Sequence, residues 1–160
     1  MPATGERTEF SSKAPRGTFT TDDGRKVEMS DLVATEGAVI IFYRGHWCKP
    51  CRKQLKEMDG IREELAGRGF KVYAISVDDP QTSTELKKRL SIDLTLLSDK
   101  GGMSITQWGV YTREHEMARP AVFIVTAGGD IAYRYVSDSP TDRPSPQTIL
   151  AEVAKLERPE

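Results

Sequence analysis

The two cysteines of this 160-residue chain, Cys48 and Cys51, lie three positions apart. The apolar run 38–43 precedes them, and a stretch with helical periodicity at about 52–66 follows, so the order is strand, tight loop, C-x-x-C, helix. Two thiols at this spacing can close a small disulfide ring. The free N–H groups and the positive end of the helix dipole favour the thiolate of the first cysteine. This pattern predicts a redox centre.

The order of the two cysteines suggests a division of roles. Cys48 comes first, so we expect it to be the more exposed thiol and the nucleophile. Its thiolate would attack a substrate disulfide, and Cys51 would then attack the mixed disulfide and release the reduced product. Pro50 suits the first helical turn, where its missing N–H leaves no bond unmade. Lys49 adds a positive charge that favours the Cys48 thiolate. The residues thus predict a thiol–disulfide oxidoreductase.

Other uses of a C-x-x-C pair remain open on the residues alone. A zinc site needs four ligands, but the chain has no second cysteine pair, and His46 and His115 do not form an H-x-x-x-H type spacing. We therefore expect no metal, and we expect no cofactor. A static disulfide or two buried thiols would perform no chemistry. A redox sensor or binding module, in which the disulfide changes a surface, is a non-enzymatic alternative.

Length and composition predict one soluble globular domain. Apolar residues make up 38% of the chain and charged residues 29%, and the net charge of −1 offers no basic surface to nucleic acid or an anionic membrane. No apolar run approaches the ~18 residues of a membrane span, and residues 1–15 show no signal-peptide core. We expect a cytoplasmic monomer or homodimer that binds neither nucleic acid nor membrane, although a mature exported form would show the same features.

The remaining elements predict an α/β sandwich. Residues 1–17 are expected to be a flexible leader, and residues 18–160 a single domain that opens with a β-hairpin around Asp22-Asp23-Gly24. Strands and helices then alternate, and a hairpin and a helix finish the chain, which predicts a central mixed sheet with helices on both faces. The other strands are expected at 38–43, 70–77, 94–97, 121–125 and 131–136. The helices are expected at about 52–66, 83–90, 103–108 and 144–156.

Four segments in this order carry a resemblance to a known family: the cysteine segment, Ser76-Val77-Asp78, Leu97-Ser98-Asp99, and Arg119-Pro120 before an apolar strand. Together they resemble the AhpC/TSA (redoxin) family, which includes peroxiredoxins and TlpA-like thiol–disulfide oxidoreductases, over roughly residues 13–156. The resemblance implies a thioredoxin-like three-layer sandwich. It implies an enzyme that takes electrons from a thiol reductant such as thioredoxin or glutathione and acts on a disulfide or peroxide substrate.

The same resemblance implies a competing antioxidant reaction. Peroxiredoxins carry F-Y-P-x-x-x-T-x-x-C, and without gaps their proline falls on Arg44, their threonine on Cys48 and their peroxidatic cysteine on Cys51. Their arginine partner corresponds to Arg119, which would stabilise the thiolate and polarise the peroxide. Cys51 would then reduce hydrogen peroxide or an alkyl hydroperoxide and become a sulfenic acid, and Cys48 would close the disulfide.

The neighbours of the pair are expected to contact the substrate. Pro120 resembles the cis-proline that faces the C-x-x-C of thioredoxin-like proteins, so a cis bond is expected there. Trp47 and Pro50 around the cysteines also match the thioredoxin pattern, which favours redox use over a static pair. Trp47 is expected to pack over the cysteine loop and touch the substrate. Arg44 is expected near the thiolates, and His46 on an exposed loop.

Overall fold

The computed structural model describes residues 4–6 and 13–157, with side chains described in 13–156. Its strands are β1 (Thr4–Glu6), β2 (Thr18–Thr21), β3 (Lys26–Glu28), β4 (Gly37–Phe42), β5 (Phe70–Ser76), β6 (Thr95–Ser98), β7 (Tyr111–Thr112), β8 (Met117–Ala118), β9 (Ala121–Val125) and β10 (Ile131–Val136). Its helices are α1 (Met29–Leu32), α2 (Lys49–Gly60), α3 (Arg62–Gly67), α4 (Pro80–Leu90), α5 (Met103–Gln107) and α6 (Pro146–Glu157).

Eight of these strands form one mixed sheet in the order β1-β10-β9-β4-β5-β6-β2-β3. β4 runs parallel to β5, with Gly37 opposite Phe70, and antiparallel to β9, with Ala38 opposite Val125. All six residues of β4 are buried, as a continuous apolar run at the centre of a sheet requires. The predicted neighbourhood of strands 38–43 and 70–77 is confirmed.

The side chains of β4 alternate between two apolar cores, because successive residues of a strand point to opposite faces. Val39 and Ile41 pack with both cysteines and with apolar residues of α2, α4 and α6. Ile40 and Phe42 pack on the other face with residues of α1 and α5. Helices therefore cover both faces of the sheet, and the predicted three-layer α/β architecture is confirmed.

The helix predicted at about 52–66 is divided in two. α2 begins earlier, at Lys49, and ends at Gly60, after which Ile61 leaves the helical region with φ −109° and ψ 7°. Glycine is among the weakest helix formers. The Asp59 carboxylate, in the last turn of α2, accepts the Asp93 N–H at 2.9 Å, so a contact distant in sequence anchors the end of α2.

The N-terminal part of the domain contains the predicted hairpin, with Phe19 of β2 opposite Val27 of β3. β2 also joins the main sheet through β6. In the segment 1–17, predicted as a leader, β1 pairs with β10 and Lys13 bridges Asp130, while residues 1–3 and 7–12 lie outside the described residues. The small hairpin of β7 and β8 has no counterpart in the sequence prediction. No helix in the described ranges combines the length and the hydrophobicity that a membrane crossing needs.

Candidate active site

The connection from β4 to α2 positions both cysteines. The Cys48 N–H donates to the Gly45 carbonyl at 3.2 Å, which closes a tight turn between strand and helix. Cys48 occupies the N-cap of α2, and its Sγ accepts the backbone N–H of Cys51 at 3.4 Å. Pro50 lies in the first turn, where it removes no helical hydrogen bond. The predicted order of strand, loop, C-x-x-C and helix is therefore present.

Both cysteines are free thiols, and both are buried. Cys48 keeps 2% of its surface exposed and Cys51 none. Cys48 is therefore the more exposed of the two thiols, as expected, although nearly all of its surface is covered. The segment before α6 brings the Arg143 side chain within hydrogen-bond distance of both sulfurs.

Arg143 is the functional residue that sequence reasoning missed. Its Nη2 lies 3.0 Å from the Cys51 Sγ and 3.9 Å from the Cys48 Sγ. Its Nη1 donates to the side-chain oxygen of Gln54, which is buried on α2, and its Nε donates to the Pro140 carbonyl at 2.6 Å. Three nitrogens of one guanidinium therefore hold it against the dithiol. A loop arginine 92 positions from its partner cysteine carries no local sequence signal.

The surroundings of Cys51 act on its ionisation in opposite directions. Burial is the largest effect and raises the pKa of the Cys51 thiol. The positive charge of Arg143 opposes this rise, whereas the Cys48 side chain adds to it. The Arg44 N–H, 3.4 Å from the Cys51 Sγ, also favours the thiolate. Cys51 is therefore a protonated thiol at neutral pH. The Arg44 N–H and the Arg143 guanidinium are placed to stabilise its thiolate when it forms.

Arg119, Arg44 and Pro120 come together in a cavity of about 190 Å³ beside the cysteine loop. Arg119 donates to Asp138, and both side chains are partly exposed. The structure thus gathers the three residues that the sequence singled out. The guanidinium that contacts the sulfurs, however, is that of Arg143.

Pro120 follows a trans peptide bond, and the described residues contain no cis bond, so the expected cis-proline is wrong. The backbone on both sides is fixed by hydrogen bonds: the Arg119 N–H donates to the Val110 carbonyl at 2.7 Å, and the Ser137 N–H donates to the Pro120 carbonyl at 2.9 Å. A trans bond, the more stable isomer, satisfies both contacts at the start of β9.

Trp47 and Arg44 form the outer surface of the cysteine loop. Trp47 is 52% exposed, and the Arg44 guanidinium carbon lies 4.9 Å from its ring centroid, a cation–π contact. A Cβ at Gly45 would lie 2.5 Å from the indole nitrogen, so glycine is required for this packing. An exposed indole beside the dithiol is available to a bound partner.

His46 is anchored within the loop. The backbone N–H of His46 donates to one carboxylate oxygen of Asp78 at 2.8 Å, and the ring Nδ1 of His46 lies 3.3 Å from the other oxygen. Asp78 follows β5, so this contact ties the cysteine loop to the end of the neighbouring strand. Among residues 13–156, no group of three or more His, Cys, Asp and Glu side chains is placed to hold a metal ion.

Comparison with known sequences finds redox proteins. The model of the AhpC/TSA family matches residues 10–134. The chain is 26% identical over 127 residues to the thiol-disulfide oxidoreductase ResA of Bacillus thuringiensis subsp. konkukian, which covers 79% of this chain and 69% of that protein. It is 34% identical over 99 residues to the chloroplastic peroxiredoxin Q of Oryza sativa subsp. japonica, which covers 62% of this chain and 45% of that protein.

Comparison with solved structures finds the same fold. AhpC of Mycobacterium bovis superposes with a TM-score of 0.83 at 15% identity, over 97% of this chain and 96% of that one. A peroxiredoxin-like protein from Aquifex aeolicus superposes with a TM-score of 0.81 at 21% identity, over 96% and 91% of the two chains. Identities this low show the fold alone.

Proposed function

Since the chain belongs to the AhpC/TSA family and is a thiol-dependent oxidoreductase, we propose that its main reaction is thiol–disulfide exchange through Cys48 and Cys51. The observation that carries this proposal is the placement of two free thiols across the first turn of α2, with Cys48 at the N-cap. This placement lets one sulfur form a mixed disulfide with the substrate and the other sulfur displace the substrate from it.

The first step is an attack by Cys48. Its thiolate attacks one sulfur of a substrate disulfide, whose S–S bond breaks as the mixed disulfide forms. The leaving thiolate takes up a proton from solvent. Because Cys48 is almost fully buried and contacts Arg143, we propose that the segment carrying Arg143 moves aside when a substrate disulfide enters.

The second step belongs to Cys51. Its raised pKa keeps it protonated while the mixed disulfide forms, so it does not compete with Cys48. Once it loses its proton, the Arg44 N–H and the Arg143 guanidinium stabilise the anion. The Cys51 thiolate then attacks the Cys48 sulfur, closes the intramolecular disulfide and releases the second substrate thiolate.

Peroxide reduction is the second candidate, and one observation favours it. Arg143 lies 3.0 Å from the buried Cys51 Sγ, where its charge would stabilise a Cys51 thiolate that attacks a peroxide. The Cys51 thiolate would attack a peroxide oxygen and break the O–O bond, leaving a sulfenic acid and releasing water or an alcohol. Cys48 would then displace water from the sulfenic acid and close the disulfide.

Single-cysteine variants separate these candidates. After a brief exposure to an aromatic disulfide, Cys51→Ser should accumulate a mixed disulfide on Cys48, and the wild type should catalyse insulin reduction by dithiothreitol. After a brief hydrogen peroxide pulse, Cys48→Ser should form sulfenic acid on Cys51 only slowly. Mass spectrometry of alkylated samples reads both outcomes. Rapid sulfenic acid on Cys51, without a trapped disulfide on Cys48, would make peroxide reduction the main reaction. No turnover in either assay would favour a redox sensor.

We further propose the setting in which the enzyme works. A cytoplasm keeps dithiols reduced through thioredoxin and glutathione, and either reductant would return the Cys48–Cys51 disulfide to the dithiol. The proposed unit is a monomer or homodimer, and an antioxidant role follows from the second candidate. Size-exclusion chromatography with light scattering, run on the reduced and oxidised protein, measures the assembly.

A further inference from the structure

His46 lies in the tight turn that precedes Cys48. The hydrogen bond from the Cys48 N–H to the Gly45 carbonyl places His46 and Trp47 at the two central positions of this turn. His46 and Cys48 are two residues apart, so their Cα atoms are at most about 7 Å from each other. The imidazole is therefore a candidate to act on a sulfur that becomes bonded to Cys48.

Three hydrogen-bond contacts from two different elements hold His46. The Asp78 carboxylate contacts both the backbone N–H and the ring Nδ1, and Arg52 of α2 donates to the His46 carbonyl at 3.2 Å. The Asp78 N–H donates to the Ser76 Oγ at 3.1 Å, which ties this carboxylate to the end of β5. The side chain of Asp78 is 8% exposed and that of His46 is 41% exposed. A buried carboxylate thus orients a ring that solvent and substrate can reach.

The contact with Asp78 decides which ring nitrogen can exchange a proton with a substrate. An ionised carboxylate only accepts hydrogen bonds, so the Nδ1 of His46 carries a proton and donates it. The other nitrogen, Nε2, has no hydrogen-bond partner within the described residues and is not buried. Histidine is the side-chain type that gains and loses a proton between about pH 5 and 8. A ring held at Nδ1 and accessible at Nε2 has the arrangement of a general acid–base group.

The contacts of His46 do not involve the segment that carries Arg143. His46 is held from α2 and from the end of β5, whereas Arg143 precedes α6. Movement of the Arg143 segment therefore breaks none of the hydrogen bonds that orient the imidazole. Arg143 itself is unsuited to proton transfer, because a guanidinium does not release its proton in proteins.

We propose that His46 is the general acid of the disulfide exchange: its Nε2 protonates the thiolate that Cys48 displaces, and Asp78 is the positioning residue that orients the ring. The inference rests on the proposed function and narrows its substrate class. An acidic leaving thiol, as in an aromatic disulfide, departs readily as the thiolate. An alkyl disulfide, such as the cystine bridge of a peptide, releases a more basic thiolate, which gains more from a proton. The enzyme is therefore suited to alkyl disulfides.

The electrons and the proton balance in each displacement. The Cys48 thiolate attacks one substrate sulfur, the S–S bond breaks, and its electron pair stays on the other sulfur, which starts one bond, about 2 Å, from the attacked atom. The Nε2 proton of the imidazolium passes to this leaving sulfur, and the neutral ring takes up another proton from solvent. When Cys51 then attacks the Cys48 sulfur, the recharged ring protonates the second substrate thiolate in the same way.

The test compares two uncharged substrates that differ in the acidity of their leaving thiols: hydroxyethyl disulfide, which is an alkyl disulfide, and dipyridyl disulfide, which is aromatic. The reduced protein is mixed with each substrate, samples are quenched with an alkylating agent, and the free cysteines are counted by intact mass. The variants are His46→Gln, Asp78→Asn and, as a matched control, Arg52→Gln, which removes a contact to the same turn without touching the ring. For each variant, the relative rate with the alkyl disulfide is divided by that with the aromatic one, which cancels any general damage to the turn.

His46→Gln should react on the order of 10-fold more slowly with the alkyl disulfide, less than the 10²–10⁴ typical of general acids, because a thiolate is already a fair leaving group. With the aromatic disulfide its rate should stay within about 2-fold of the wild type. Asp78→Asn should shift the ratio in the same direction but by less, since the ring remains and only its orientation is lost. Arg52→Gln should keep the wild-type ratio. Imidazole added to His46→Ala should restore the rate with the alkyl disulfide alone.

Two results would overturn the inference. A wild-type ratio in His46→Gln, whether both rates fall or neither does, would mean that the ring transfers no proton. A ratio that shifts equally in Arg52→Gln and His46→Gln would assign the effect to the packing of the turn. If the reduced wild-type protein reacted with neither disulfide, the proposed function itself would fail, so the two failures are distinguishable.

Discussion

Arg143 and Arg119 occupy comparable places and differ in what balances their charge. Both lie in segments beside the cysteine loop, and each lines a cavity there. Arg119 donates to the Asp138 carboxylate, so a carboxylate already neutralises it. Arg143 donates to the neutral Gln54 amide, to the Pro140 carbonyl and toward the thiols. Of the two cations, Arg143 is the one with charge available to a thiolate.

The residue next to Arg143 reinforces this difference. Asp142 could have neutralised it, but its carboxylate accepts the Tyr135 hydroxyl at 2.8 Å. Asp142 thus has another hydrogen-bond partner, and the hydrogen bonds described for the Arg143 guanidinium go to Gln54, Pro140 and the two sulfurs. The comparison teaches that an arginine acts on a reactive group according to its counter-ion as well as its distance, because a neutralised cation stabilises a nearby anion only weakly.

Replacing either arginine by alanine should slow closure of the Cys48–Cys51 disulfide, but to unequal extents. The loss in Arg143→Ala is the largest effect that we expect. A hydrogen bond to a charged group contributes about 1.5–3 kcal/mol, so Arg143→Ala should slow closure of the Cys48–Cys51 disulfide by roughly 10- to 100-fold. Arg119→Ala should slow it by less than about 5-fold, the range of a partly exposed ion pair. Rapid-quench measurement of disulfide formation, with Arg143→Lys as the charge-retaining control, tests this. A larger loss in Arg119→Ala would break the comparison.

A counter-ion placed beside Arg143 should make it resemble Arg119. Gln54→Glu keeps the shape of the side chain and adds a carboxylate, which neutralises the guanidinium and repels the Cys51 thiolate. We expect disulfide closure to slow by about 5-fold, equivalent to about 1 kcal/mol. Gln54→Met, which removes the hydrogen bond without adding charge, should slow it less. Equal rates in the two variants would mean that the charge of Arg143 is not what matters.

The smallest expected effect is on the stability of the reduced protein. Because burial raises the pKa of Cys51, the folded chain holds this proton to higher pH than the unfolded chain, whose cysteine pKa is about 8.5. The resulting stabilisation is complete below that value and is lost as the pH rises through the folded pKa. The free energy of unfolding should therefore fall as the pH rises above about 8.5.

Denaturant titrations at several pH values measure this slope. Cys51→Ala should flatten the decline, and Arg143→Ala should steepen it, since the charge that opposes the rise in pKa is lost. Arg119→Ala should leave the slope unchanged. A slope that is identical in wild type and Cys51→Ala would show that Cys51 does not carry the effect.

The sequence was sufficient to predict the parts of the fold that follow from local patterns. The continuous apolar run before Tyr43 predicts the central strand, and the proline after Cys48 predicts the helix start. The break at Ile61 was not predicted, because it is accompanied by a hydrogen bond from Asp93 to Asp59 that has no local signature. The mixed sheet follows from the order of elements, whereas the two-residue strands β7 and β8 are too short to show a pattern.

The site was likewise predictable only where it follows from a local sequence pattern. Cys48 and Cys51 lie three positions apart in the sequence, so their pairing at a helix start could be inferred. Arg143 reaches them across the fold from a loop without periodicity, and a single sequence does not show such a contact. Pro120 illustrates the opposite error: a resemblance suggested a cis bond, but the flanking hydrogen bonds of β9 fit the trans isomer.

The hydrogen bond from the Cys51 N–H to the Cys48 Sγ also makes the sulfur a structural part of α2. An N-cap contributes about 1 kcal/mol to a helix, and an anionic acceptor is stronger than a neutral one. Oxidation replaces the anionic or thiol sulfur with a disulfide sulfur, a poorer acceptor, and so weakens the cap. The first turn of α2 should then fray more often, with faster amide hydrogen exchange at Cys51 and Arg52 in the oxidised protein. The local stability of the first turn of α2 should therefore depend on the redox state of Cys48.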